Sequence, residues 1–163
     1  MRARRAAPTG GLFAFVALAS FTAVAAALVS QHAYGMQPCA WCVLQRLIFL
    51  ALGAVALLGL AWRGRTGSLV AAADGLLLAL CGLASALWQH FVAARSASCN
   101  LTLADRIVST TKLDTLLPDV FEARASCADA AVALFGVPYA FWAAALFVLC
   151  ALALMQAIRV AAR

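Results

Sequence analysis

The 163-residue sequence predicts an all-α membrane protein, a four-transmembrane-helix bundle with two outer loops, the second of them long. Three observations carry that prediction. Hydrophobic residues make up 66% of the chain and charged residues 11%, whereas soluble domains run near about 45–50% and 25%. Four stretches stay apolar over the ~20 residues that a helix needs to cross a bilayer. The basic residues gather at one set of span ends, as the orientation of membrane helices requires. This composition excludes a soluble globular enzyme, a disordered chain, a collagen-like repeat and a small secreted disulfide scaffold. A net charge of +6 by itself suits nucleic acid, but charges confined to the ends of apolar runs mark membrane orientation, so no nucleic-acid partner is expected.

The first span, 12–30, is uncharged. Its basic start resembles a signal peptide, but its apolar run exceeds the usual ~7–15 residues and no convincing cleavage site follows, so it is expected to stay as a span. An outer loop over 31–42 contains Pro38. The second span, 43–62, carries Arg46 in its first turn. A turn of Arg63, Gly64, Arg65, Thr66, Gly67 and Ser68 leads to the third span, 69–92, with Asp74 near its start and His90 near its end. The outer loop 93–136 holds five of the six acidic residues, and the uncharged span 137–158 closes the set. With no internal repeat and no low-complexity linker, residues 1–163 are expected to form a single membrane domain.

Arg2, Arg4, Arg5, Arg63, Arg65, Arg159 and Arg163 fall on one side, with no acidic residue among them. On the other, Arg95, Arg106, Lys112 and Arg124 are offset by Asp105, Asp114, Asp119, Glu122 and Asp129. The positive-inside rule then places both termini in the cytoplasm. Tyr34, Trp41, Trp88, Tyr139 and Trp142 fall near the outer surface, as an aromatic belt does. Asp74 is expected to be structural and to pair with Arg63 or Arg65; His32 is expected to be surface structure.

Topology sorts the six cysteines. Cys81 and Cys150 lie mid-span, where a buried thiol acts as a small hydrophobe. Cys39, Cys42, Cys99 and Cys127 all lie on the outer side, where thiols can stay oxidised. Four cysteines allow three pairings, and spacing alone does not choose among them. Zinc prefers two close ligand pairs, whereas 27 residues separate Cys99 from Cys127, so no metal is expected. Haem attachment needs His directly after the second Cys, and Val43 stands there. The ring closed by Cys39-Ala40-Trp41-Cys42 is too small to constrain much unfolded chain, which suits a cycling dithiol better than a staple. Cys42 begins a helix, and Arg46 lies one turn deeper on the same face; both favour an anionic sulfur. In the long loop, Leu113, Leu116, Leu117, Val120 and Phe121 fall at helical spacing beside acids, predicting a short amphipathic helix begun or kinked at Pro118.

These residues resemble the DsbB family, quinone-dependent thiol oxidases of the bacterial inner membrane. The resemblance runs over nearly the whole chain: Gln31-His32, Pro38-Cys39-Ala40-Trp41-Cys42, Gln45-Arg46, His90, Cys99, Leu117-Pro118-Asp119-Val120-Phe121, Cys127 and Phe135-Gly136-Val137-Pro138. Gln45 departs from it, since well-known members carry an acid there. The resemblance implies a protein-dithiol:quinone oxidoreductase whose partner is a DsbA-like periplasmic thiol oxidase. It implies a lipid-embedded quinone cofactor, ubiquinone before menaquinone, with Arg46 and His90 binding it. It implies catalytic roles for all four outer cysteines: a Cys99–Cys127 disulfide attacked at Cys99, electrons passed to Cys39–Cys42 through a transient Cys39–Cys127 bridge, and Cys42 meeting the quinone. A quinone is confined to the bilayer while the partner is soluble, so one cysteine pair must stand at the membrane surface and the other must reach outward. Two other readings compete: a thiol/quinone enzyme running in the reductase direction, as in vitamin K epoxide reductases, and a non-enzymatic scaffold or small transporter with stapled loops. The first has its C-x-x-C by the last span; the second predicts stable disulfides and no exchange.

Overall fold

The computed structural model describes residues 9–62, 64–95 and 103–163. Four long helices dominate: α1 (Gly10–Tyr34), α2 (Ala40–Ala61), α3 (Arg65–Phe91) and, after three short helices and a hairpin, α7 (Tyr139–Ala162). All four are long and apolar enough to cross a membrane. Each is longer than a bare hydrocarbon crossing needs, because polar flanks such as Gln31 and Arg65 continue the helix into the interface. The helices run up and down, each packed on the next, and α7 closes on α1. The result is an all-α four-helix membrane bundle.

The bundle is apolar inside and outside. Phe13, Val16, Leu52, Phe147 and Leu154 fill the middle, while Leu18, 70% exposed, is one of many leucines on the outer surface. That is how a chain solvated by lipid tails is built. Interior contact is therefore made by close fit rather than by expulsion of water. Two glycines show this. A β-carbon on Gly59 would meet the Phe13 ring at 2.7 Å, and one on Gly82 would collide with Phe147. Phe147 in turn stacks on Phe49 at 3.9 Å. At the terminal end, Arg65 Nη2 donates to Ala162 O at 2.8 Å. This engages one of the two side chains expected to pair with Asp74, which lies exposed on α3; the other, Arg63, lies outside the described residues. Cys150 is buried as expected. Cys81 is not: it faces outward from α3, since α3 turns its glycine and alanine face, Gly75, Ala79 and Gly82, to the interior.

The opposite end carries the connections. Gly35, at φ +68°, ends α1, and its N–H and that of Met36 return to Ser30 O. Only Gly35 to Cys39 separate α1 from α2, a shorter loop than the expected 31–42. Beyond α3 and a 3-10 turn (Ala93–Arg95), the chain forms α4 (Leu103–Thr110), α5 (Leu113–Leu116) and α6 (Pro118–Phe121). The amphipathic helix expected there, begun or kinked at Pro118, is two separate turns, the second of which begins at that proline. Leu117, at φ −135° and ψ 66°, breaks it, because the residue before a proline is pushed out of the helical region. Pro118 then opens α6. A hairpin of β1 (Ala133–Leu134) and β2 (Val137–Pro138) leads into α7. Ala104, Val108 and Phe121 pack with Ala40, Val43 and Leu44 into a second apolar cluster that clamps this region onto the start of α2. Trp41 belongs to it and is 8% exposed. It is thus packed under the loop rather than exposed as a belt residue would be, whereas Tyr34, Trp88 and Trp142 are exposed.

Candidate functional site

The site is built around the first turn of α2. A helix N-terminus leaves backbone N–H groups without partners in the chain and carries partial positive charge. Here sulfur takes up that role. Cys39 is the N-cap, and its Sγ accepts from the Cys42 N–H at 3.4 Å. Cys127 Sγ is brought onto the same turn, where the Trp41 N–H donates to it. Helix α2 begins at Ala40, so Cys42 lies inside its first turn rather than at its edge.

Three sulfurs gather at this point. Cys39 Sγ lies 2.9 Å from Cys42 Sγ and hydrogen-bonds to Cys127 as well. That bond to Cys127, then the one to Cys42 and burial, push the Cys39 thiol far above its ordinary range. The same bond, received from Cys39, holds Cys127 below the ordinary thiol value of 9.0. Pro38 O accepts from the N–H groups of Arg124 and Ala125, which fastens the segment leading to Cys127 against the loop that carries Cys39. Cys99 lies outside the described residues.

One turn deeper, a polar network crosses the helices. Gln89 Nε2, on α3, donates to Cys42 Sγ at 3.2 Å. Gln45 Nε2 donates to Gln89 Oε1 at 2.6 Å, which sets the direction of the Gln89 amide. Arg46 is 6% exposed. Its Nη1 donates to Gln31 Oε1 at 2.7 Å and to Val120 O at 3.0 Å, and its Nη2 to Ala27 O at 3.4 Å. Gln31 Nε2 completes the link by donating to Asp119 O at 3.1 Å. Arg46 Nε has no partner, and among the described residues no carboxylate pairs with the guanidinium. Burying such a cation costs several kcal/mol unless acceptors or an anion face it.

A cavity of about 850 Å³ opens beside this network. Alanines make the room: Ala23, Ala26 and Ala27 from α1 and Ala140 and Ala143 from α7 form opposing walls. Cys42, Gln45, Arg46 and Phe49 line it from α2, and Gln89 reaches it from α3. Tyr139, which accepts from or donates to Ser30 Oγ at 3.5 Å, spans the walls near the loop end. His90 is not part of the lining. Its ring packs on Phe141 and Phe91, at 4.5 and 4.9 Å between centroids, at the end of α3.

A profile of the family described as Disulfide bond formation protein DsbB matches residues 9–157. The chain belongs to the DsbB family. It is 36% identical over 130 residues to Disulfide bond formation protein B of Pseudomonas syringae pv. tomato, covering 79% of this chain and 77% of the relative. It is 33% identical over 146 residues to the protein of that name from Herminiimonas arsenicoxydans, covering 89% and 91%. It is 33% identical over 145 residues to Disulfide bond formation protein B 2 of Pseudomonas aeruginosa, covering 85% and 84%. No solved structure matches. DsbB membership and the four apolar helices make the chain a multi-pass bacterial inner-membrane protein and a thiol-acting oxidoreductase concerned with disulfide bond formation.

The fold thus brings Cys39, Cys42, Cys127 and Arg46 together and sets His90 apart from the cavity. Two partners were missed in the sequence: Gln89 as donor to Cys42, and Gln31 as acceptor for Arg46. A usable signal existed, because an amide within or beside an apolar span needs a hydrogen-bond partner there.

Proposed function

We propose that this DsbB-family protein reoxidises a periplasmic DsbA-like dithiol oxidase and delivers the electrons to a membrane quinone. The termini then face the cytoplasm, and the cysteine-bearing end faces the periplasm. One observation carries the reading: Cys42 sits on the wall of an apolar cavity beside a buried, carboxylate-free Arg46, while Cys39 reaches back to Cys127.

The cavity suits such a ligand. Its volume lies in the ~300–1,000 Å³ range of small-molecule sites, which are likewise mostly apolar with few polar groups. Arg46 lines the cavity and has no carboxylate partner among the described residues, so its guanidinium brings positive charge to the side of the cavity where an oxygen acceptor or anion would settle. Cys42, Arg46 and Gln89 would hold the head of the ligand. A quinone there supplies a two-electron acceptor dissolved in lipid, ubiquinone before menaquinone.

The remaining chemistry belongs to the chain's own sulfurs. A thiolate of the reduced partner attacks Cys99 of a Cys99–Cys127 disulfide, forming a partner–Cys99 disulfide and releasing Cys127 as thiolate. The partner's second thiolate resolves that bond, leaving the partner oxidised and Cys99 reduced. Cys127 then attacks Cys39 of a Cys39–Cys42 disulfide and Cys42 leaves as thiolate. Cys99 attacks Cys127 in turn, which restores the Cys99–Cys127 disulfide and frees Cys39. The electron pair is now held by Cys39 and Cys42. Exchange runs faster when the leaving sulfur is a stabilised thiolate; the Gln89 donor and the Arg46 charge supply that at Cys42. His90, next to Gln89 in the chain but outside the cavity lining, is assigned in this reading to carry protons rather than to hold the ring.

Purified protein in detergent, given a reduced DsbA-like oxidase and ubiquinone, should consume one quinone per dithiol, followed by quinone absorbance. An absence of consumption sinks the proposal. Persistence of all disulfides in quinone-depleted cells, seen by thiol trapping, would instead favour stapled loops.

A further inference from the structure

The hairpin before α7 carries a residue that its turn geometry disfavours. Ala133 pairs with Pro138 and Leu134 with Val137, so Phe135 and Gly136 form the two-residue turn. Both have positive φ, 54° and 79°. Such turns favour Asn-Gly; a bulky L-residue at positive φ is strained. Phe135 is also 88% exposed. Neither packing within the chain nor turn chemistry accounts for a phenyl ring at the tip, and strain retained at an exposed position points to something outside the chain.

The surroundings identify the contact. Tyr139 N donates to Val132 O at 2.9 Å, and Trp142 Nε1 donates to Leu134 O at 3.3 Å. Both donors belong to the first turn of α7, a membrane-crossing helix. The hairpin is therefore tied to the level at which that helix leaves the hydrocarbon. From Ala130 to Trp142 the chain has no charged residue. Val137 and Trp142 are exposed beside Phe135. A protein-docking tip carries a polar rim, whereas an uncharged aromatic tip at this height suits the headgroup–acyl boundary.

We propose that the Phe135 hairpin is a lipid-inserted anchor that holds one lip of the cavity at the bilayer surface. Leu134 and Trp142 line the cavity, so the tip and the mouth move together. The lipid contact is independent of what the cavity binds; its effect on catalysis rests on the quinone reading above.

The test uses full-length protein in phosphatidylethanolamine/phosphatidylglycerol vesicles, with p-benzoylphenylalanine in place of Phe135. Irradiation is expected to add the mass of one phospholipid. Adducts with protein alone, or no adduct while the same photolabel at the outward-facing Leu18 captures lipid, overturn the proposal. A second variant, Phe135→Asn, suits positive φ and should melt at the same temperature or higher. In vesicles it should raise KM for a long-chain quinone by a factor of ~3 or more with kcat kept. An unchanged KM overturns the role at the cavity mouth. Wild-type protein that consumes no quinone sinks the functional reading instead, and the photolabel alone then decides the lipid contact.

Discussion

Toward the termini, α1, α2, α3 and α7 meet through Phe13, Leu52, Leu154 and closely approached glycines. Toward the loops, α1, α2 and α3 meet through Gln31, Gln45, Arg46 and Gln89, each hydrogen-bonded to a partner on another segment. The first half is held by shape and the second by directional polar contacts. Shape tolerates conservative exchange of apolar side chains. A buried polar network does not, because removing one member leaves another unsatisfied in a medium of low dielectric. The gathered sulfurs of Cys39, Cys42 and Cys127 lie in the half where such exchange is costly, and the half without them anchors the helices.

The comparison yields graded tests. The largest effect is expected from Cys42→Ser, which should abolish quinone consumption while leaving helical content intact by circular dichroism; retained turnover would remove Cys42 from the chemistry. In the apolar half, Leu52→Ala should cost about 2–5 kcal/mol of stability, read as a lower melting temperature, with KM for quinone unchanged. A change in KM there would show that the two halves are coupled.

Arg46→Gln is expected to raise KM for quinone on the order of tenfold, the scale of one lost charge-assisted contact. It should also speed hydrogen exchange at Val120, whose carbonyl Arg46 holds. A KM effect without faster exchange would separate the ligand role from the loop role.

The pH dependence of Cys127 tests the sulfur cluster. A depressed thiol pKa keeps the thiolate at lower pH, so alkylation of Cys127 in reduced protein should reach half its maximal rate below pH 9.0 and fall away under further acidification. Cys39→Ala removes the donor and should move that half-point upward. The smallest effect is expected at the surface. Arg124 bonds Glu122 at 2.8 Å and Asp119 at 3.3 Å in the open, where ion pairs contribute little. Arg124→Ala should therefore leave the melting temperature unchanged.

The spans were readable because hydrocarbon imposes one simple rule on twenty consecutive residues. The C-x-x-C and Arg46 were readable because Cys39 to Cys42 and Cys42 to Arg46 each span about one helix turn. Gln89 was not, since its partner Cys42 is 47 residues away and only the crossing of α2 and α3 joins them. The outward face of Cys81 was also hidden: hydropathy places a residue at a depth but, in a helix apolar all round, does not choose its side. Trp41 misled for a related reason. Its position suited the interface belt, but the loop folded over it.

The sequence by itself determined that four helices cross a membrane and that a C-x-x-C opens the second of them, because both follow from local composition and short spacing. Only the tertiary structure decided which sulfurs meet, what faces Arg46, and where the cavity opens. Those depend on the rotation of each helix about its axis and on long-range closure of the loop, which packing sets and local pattern does not.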